Sequence, residues 1–322
     1  MAEKSSMKTS EVKKRSKFGE LVVRMVKEKP LGTIGAVITV ILLLTGIFAN
    51  YLAPYGVNDY HAHYVLQGPS AQFLLGTDNL GRDLLTRIIF GARISVIVGL
   101  SSALIATVIS AIMGIVSAWA GGAFDLIFQR FVDAVMCIPS LPLLIVIISI
   151  IGPGLWQVIV CLGISTGIGG IRLVRSLVIQ MKENMYLQAA VAVGDSTPRV
   201  LIMHVLPNIM APIIILFSMS VPALILAEAG LSFLGFGIPP PAPSWGGMLS
   251  GSARTYMFKD PWMAFWPGLA LSLMVYGVNM FGDAVRDLLD PRLRGGVGRY
   301  GVKVQKIDTI KSKPVAPKES TS

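Results

Sequence analysis

The feature that most constrains this chain is a set of long stretches without a single Asp, Glu, Lys or Arg. Residues 31–52, 94–124, 134–171, 207–227 and 262–281 carry none. A helix crosses a bilayer with about 20 mainly apolar residues, because it satisfies every backbone N–H and C=O group within one segment. Residues 134–171 are too long for one crossing, and Gly152-Pro153-Gly154 divides them into 138–151 and 155–171. The expectation is an all-α polytopic membrane bundle with six transmembrane helices: 31–52, 94–124, 138–151, 155–171, 207–227 and 262–281. Asp125, Arg130 and Asp133 mark a short interfacial segment ahead of the third crossing. Composition agrees, with 53% hydrophobic and 14% charged residues where a soluble domain carries about 25% charged.

The distribution of basic residues orients the bundle. Six crossings place both termini and the 172–206 loop on one side. Arg130, Arg172, Arg175, Lys182, Arg199 and the two basic tails lie there. The other side holds only Arg82, Arg87, Arg93, Arg254 and Lys259. The positive-inside rule makes the first side cytoplasmic. This topology accounts for the net charge of +10 without a nucleic-acid partner, and an attraction to anionic lipid stays open. Residues 1–30 form a polar, basic tail with Lys13-Lys14-Arg15 and no small-residue cleavage site after the first apolar run, so the tail is expected to be uncleaved. Residues 31–290 form the membrane domain, with outside loops at 54–93 and 236–261. Residues 291–322 form a second basic tail whose composition suits disorder.

Between the fourth and fifth crossings the chain turns polar. It carries Lys182, Glu183, Asp195 and Arg199, so it stands outside lipid. Residues 188–193 are Ala-rich and favour a helix. Gly194, Asp195 and Ser196 supply turn chemistry, and Pro198 suits the first turn of a second helix. The spacing predicts a helix–turn–helix lying at the membrane face. Gln188-Ala189-Ala190, Gly194 after three intervening residues, and Leu206-Pro207 resemble the "EAA" loop of membrane permeases in ABC importers fed by a solute-binding protein. The resemblance implies a coupling element, with Asp195 in its turn, that docks into a cleft on a cytoplasmic ATPase. The first position is Gln188 rather than Glu. Any contact there is uncharged, and the likeness rests on the small Ala residues and the Gly turn.

Three more segments carry the same resemblance in order. Gly76-Thr77-Asp78, Gly81-Arg82-Asp83 and Thr86-Arg87 resemble a "GTD-x-x-GRD-x-x-[ST]R" signature. That signature belongs to the second of two paired permeases in dipeptide, oligopeptide and nickel importers. Asp78 and Asp83 have Arg82, Arg87 and Arg93 within reach, which would pin the loop to the second crossing. The expected role is an outer rim or gate, built more for structure than for touching solute. Pro239-Pro240-Pro241 and Ser244-Trp245-Gly246-Gly247-Met248 resemble the family's "PSWG" segment, a Pro-stiffened lid. Trp262 and Trp266 fit either that lid or an aromatic belt. Residues 282–293 resemble the "GD-x-x-RD-x-LDPR" ending. Glu228 stands alone at the outer end of the fifth crossing. An ionisable residue at membrane depth needs a partner or a watery path, so it either lines the outer vestibule or caps a neighbouring helix.

Other chemistry is thinly represented. Cys137 and Cys161 sit in apolar runs and read as small core residues. His61, His63 and His204 make no zinc spacing with them, and no metal site is expected. There is no G-x-x-x-x-G-K-[ST] and no H-E-x-x-H, so ATP binding through a P-loop is not expected in this chain. The resemblance implies a type I importer permease of a bacterial or archaeal inner membrane, for peptides or a related small solute such as nickel. It implies four kinds of partner: a second homologous permease, two ABC ATPase subunits holding ATP and Mg, an extracytoplasmic solute-binding protein, and the lipid membrane. The chain itself would be no enzyme and bind no cofactor. A self-sufficient secondary transporter, with Glu228 on an ion path, is the alternative.

Overall fold

The computed structural model describes residues 17–289. Lys13-Lys14-Arg15, Asp290-Pro291-Arg292-Leu293 and the 291–322 tail lie outside the described residues. The order of helices is α1 (Lys17–Glu28), α2 (Pro30–Ile47), α3 (Ala49–Leu52), α4 (Leu84–Ala120), α5 (Gly122–Met136), α6 (Ser140–Ile151) and α7 (Leu155–Lys182). Then follow α8 (Met185–Ala192), α9 (Thr197–Val200), a π-turn at Leu201–Val205, α10 (Leu206–Phe233), α11 (Trp245–Leu249), α12 (Gly251–Tyr256) and α13 (Trp262–Leu289). No strand occurs among the described residues, and the all-α membrane bundle is confirmed.

Among the described residues, five helices are long and apolar enough to cross a membrane, and six if a bent pair counts as one. That pair is α5 and α6, which meet at 86°. It corrects the third expected crossing. With 12 residues, α6 rises only about 18 Å, well short of the ~30 Å hydrocarbon core. Pro139, the residue before α6, explains the break: it disfavours helical backbone at Ile138 and has no N–H to continue α5. The charges read as interfacial belong to α5. Asp125 pairs with Arg175 of α7, and Asp133 with Arg130 and with Arg172 of α7.

The second crossing also begins earlier than the uncharged run. Asp83 caps α4 by accepting from Thr86 N at 2.7 Å, so the helix starts inside the polar signature. Its 37 residues extend about 55 Å and form the spine of the molecule. Helix α7 packs along α4 through small residues. A Cβ added at Gly163 would lie 2.7 Å from Ile105 Cγ2, so only Gly permits this approach. Ser102 Oγ donates to Ile159 O at 3.1 Å and Ser110 Oγ to Gly167 O at 2.8 Å, which satisfies both hydroxyls inside the interface. Helix α2 packs on α13, and α10 on both α4 and α13.

Two large apolar cores form among the described residues, beside a small cluster of Leu84, Ala253 and Met263. The larger joins Val98, Ile148, Leu162, Leu224, Trp245 and Met274, among others. The smaller gathers Ile115 and Ala118 of α4, Val174 and Val178 of α7, Leu187 of α8, Val200, Val205 and Ile209. This second core ties α8 to one end of the spine; the signature loop occupies the other end.

Candidate functional site

The loop after α7 folds as its sequence predicts. Lys182 ends α7 and reaches back to the last turn of α4, donating to Ala118 O at 3.2 Å and Trp119 O at 3.1 Å. A cation on orphan carbonyls favours this junction. Helix α8 then runs over the Ala-rich segment. It closes with Asp195 N donating to Ala190 O at 3.2 Å and Gly194 N donating to Val191 O at 3.0 Å. Those two bonds form a Schellman turn, and its left-handed residue is Gly194 at φ +96°. Pro198 enters the first turn of α9. Asp195 then links turn to helix, with Arg199 Nε at 3.5 Å and His204 Nε2 at 3.6 Å.

This loop shows most of its surface to the outside. Gln188, Ala189, Gly194 and Pro207 are exposed, and Ala190, Asp195 and Leu206 are half-buried. Met185, Tyr186, Val191, Val193, Ile202 and Met203 expose apolar side chains, Val193 to 88%. The buried member of α8 is Leu187, at 2%. Sequence reasoning missed Leu187, because one Leu in an Ala-rich run gives no periodic signal.

The Gly76–Arg87 signature is built in the opposite way. Thr77 and Asp83 face each other in an isolated antiparallel bridge, with Gly76 at φ +88° and Gly81 at φ +73° on the turns. Asp78 Oδ1 accepts from Leu80 N and Arg82 N, both at 2.9 Å, and Oδ2 accepts from Arg82 Nε at 2.7 Å. Arg87 Nε lies 3.7 Å from the same Oδ2. Thr77, Asp78, Arg82, Asp83 and Arg87 are all buried. Two of the expected pairings differ. Asp83 is spent on the α4 cap, and Arg93 donates to Gly46 O at 2.9 Å and Asn50 Oδ1 at 3.1 Å, clasping α2 instead. Above this knot sits the Pro-rich segment. Trp245 is fully buried, and its Nε1–H donates to Ile88 O at 3.1 Å. Asp260 precedes α13, and its carboxyl, which accepts from Trp262 N at 3.3 Å, is pushed above the ordinary carboxylate range by burial.

Glu228 lies on α10 with 0% exposure. Its Oε1 accepts from Ser232 Oγ at 2.6 Å, and Gly246 of α11 lies directly against the adjacent Ala229. The loop and Glu228 are therefore not brought together: one stands at each end of the bundle. A further pattern escaped sequence reasoning. Gly163-Ile164-Ser165-Thr166-Gly167 has the G-x-S-x-G spacing. A nucleophile elbow needs a strand-to-helix turn, whereas this run sits inside α7 as a packing surface.

Comparison with known proteins agrees with this architecture. Residues 106–295 match the family described as the binding-protein-dependent transport system inner membrane component. Residues 17–69 match the N-terminal TM domain of oligopeptide transport permease C. The chain is 37% identical over 270 residues to the di/tripeptide transport system permease protein DppC of Pseudomonas aeruginosa (strain UCBPP-PA14), covering 82% of this chain and 89% of that one. It is 36% identical over 270 residues to the oligopeptide transport system permease protein OppC of Bacillus subtilis (strain 168), covering 83% and 88%. It is 37% identical over 255 residues to the glutathione transport system permease protein GsiD of Pectobacterium atrosepticum, covering 79% and 84%.

Proposed function

The chain belongs to the binding-protein-dependent transport system inner membrane components, and from that premise we propose that it is the membrane-spanning permease subunit of an ATP-driven importer of di- or oligopeptides. The family is one of transport, not of enzymes, and the chain is a multi-pass membrane protein. The observation that supports coupling is α8: a short, capped helix, apolar and exposed, held beyond the last turn of α7 by one buried anchor. Such a helix suits a cleft on a partner. Docking there passes a partner's motion into the bundle only if the contact differs between two partner states.

In this reading the end of the bundle bearing α8 faces the cytoplasm, with both termini, and the membrane is a bacterial or archaeal inner membrane. Two ATPase subunits bind ATP and Mg, and this chain holds no cofactor. A second homologous permease completes the pathway, and a solute-binding protein delivers peptide to the outer rim. Gln188, Ala189, Ala190, Gly194, Asp195, Leu206 and Pro207 frame the ATPase contact. Gly76, Thr77, Asp78, Gly81, Arg82, Asp83 and Arg87 frame the rim. The test is affinity purification in mild detergent with co-purifying chains identified by mass. A second permease and P-loop ATPases are the expected company. Recovery of this chain alone, correctly folded, overturns the reading and returns weight to an ATP-independent transporter.

A further inference from the structure

The outer knot balances in charge, Asp78 and Asp83 against Arg82 and Arg87, but its pairing is incomplete, since Arg87 Nη1 and Asp83 Oδ1 are both buried without a hydrogen-bond partner among the described residues. Asp78, Arg82 and Arg87 form one wall of a cavity of about 80 Å³, and Pro240, Met248 and Met263 form much of the other. The cavity thus lies where the two outer motifs meet. One carboxylate serves two guanidinium groups, and its oxygens already accept two backbone N–H bonds and Arg82 Nε. Arg87 is 6% exposed, stands 3.7 Å from Asp78 at its nearest ion-pair contact, and its Nη1 has no hydrogen-bond partner among the described residues. A buried guanidinium in that state is costly, and an added anion relieves it.

We propose that this cavity is a carboxylate subsite in which Arg87, assisted by Arg82, receives the carboxylate end of a ligand. The volume admits a carboxylate and a carbon or two beyond it, not a whole peptide. The polar wall fits the anion, and the Pro–Met wall fits the carbons behind it. An arginine fork is the donor geometry that recognises a carboxylate. The carboxylate can come from a peptide solute's C-terminus or from an acidic side chain of a protein docked on the rim.

The test is a titration of the full chain in lipid nanodiscs with N-acetylglycine and, in parallel, with its neutral amide. The 13C-labelled methyl signals of Met248 and Met263 report on the cavity directly. Both signals are expected to shift saturably with the acid and not with the amide. Arg87→Gln should weaken the response by about 10-fold or more, the loss expected for one charge-assisted hydrogen bond. Since that variant removes a buried charge beside Asp78, Met248→Phe is the second variant. It fills the cavity from its apolar wall, keeps every charge, and leaves Met263 as reporter. Absent shifts, equal shifts with the amide, or an undiminished response in Met248→Phe overturn the subsite.

Uptake by the assembled transporter identifies the source, and only this arm rests on the importer reading. If Met248→Phe erodes a preference for a free-acid peptide over its amide, the solute supplies the carboxylate. If it slows both peptides equally, a docked protein supplies it. No change in either overturns a role for the subsite in transport, while the methyl titration stands independently of the importer reading.

Discussion

The two ends of α4 carry the two most motif-rich segments of the chain, and they are constructed oppositely. At one end the signature residues are buried and bonded to one another: Asp78 to Arg82, Leu84 to Gly76, Trp245 to Ile88. At the other, Gln188, Ala189 and Gly194 stand exposed on a helix with one buried anchor. Both segments resemble family motifs, yet a resemblance does not say whether a motif builds the molecule or is offered to a partner. Burial separates the two. The Gly76–Arg87 knot is architecture, with Arg87 Nη1, Asp83 Oδ1 and Thr86 Oγ1 left unpaired among the described residues. The α8 loop is a surface held in shape by its own turn.

Substitutions can break or sharpen that contrast. The largest effect belongs to Asp78→Asn, which leaves Arg82 and Arg87 buried without their shared anion. Breaking a buried pair in this way costs about 3–5 kcal/mol, and a thermal melt of the purified chain should show it. A change in stability of less than about 0.5 kcal/mol, the range of ordinary surface substitutions, would remove the claim that the knot is architectural. Next is Leu187→Ala. The deletion of one well-buried Leu costs about 2–5 kcal/mol in a rigid core, and the lower end is expected here because α8 can settle toward its neighbours. Proteolysis within 185–200 should rise while the outer knot keeps its protection.

Gly194→Trp separates the ends most sharply. A residue other than Gly at a left-handed position costs about 1–2 kcal/mol, but nothing lies within 4 Å of Gly194 to clash with a side chain. The variant should insert, fold and lose ATP-driven uptake; normal uptake would sink the docking role of α8. The smallest effect concerns Asp260. Burial raises its folded-state pKa above the ordinary 3.8, so the folded chain holds a proton there that the unfolded chain has released. Stability contributed by this group therefore declines as pH rises from 3.8 through the raised value. Asp260→Asn should flatten that part of the melting profile. An identical profile in both proteins would mean that burial of Asp260 carries no such linkage.

Much of the fold was legible because lipid tolerates so few charges. The uncharged runs located the crossings, and the Ala run, Gly194 and Pro198 located the helix–turn–helix residue by residue. The third crossing was misjudged for a physical reason. Hydropathy reads charge, and 134–171 has none; Gly152-Pro153-Gly154 marked the break between α6 and α7, while nothing marked the bend at Pro139. The charged α5 looked interfacial because its partners, Arg172 and Arg175, lie about forty to fifty positions away along the chain. The start of α4 was hidden for the same reason. Asp83 and Arg87 read as loop charges until burial and capping showed that a helix had absorbed them.

The anchoring of α8 has a mechanical meaning. A rod of eight residues, about 12 Å long, is joined to the chain at both ends and borne at one point, Leu187. That bearing sits among Ile115 and Ala118 of α4, Val174 and Val178 of α7, and Ile209 of α10. If α8 docks as proposed, a load on the rod is shared by the three long helices packed around Leu187, each a lever with its fulcrum near one end. Along the 37-residue α4, a tilt of a few degrees at Leu187 becomes a sweep of ångströms at Asp83, where the outer knot begins.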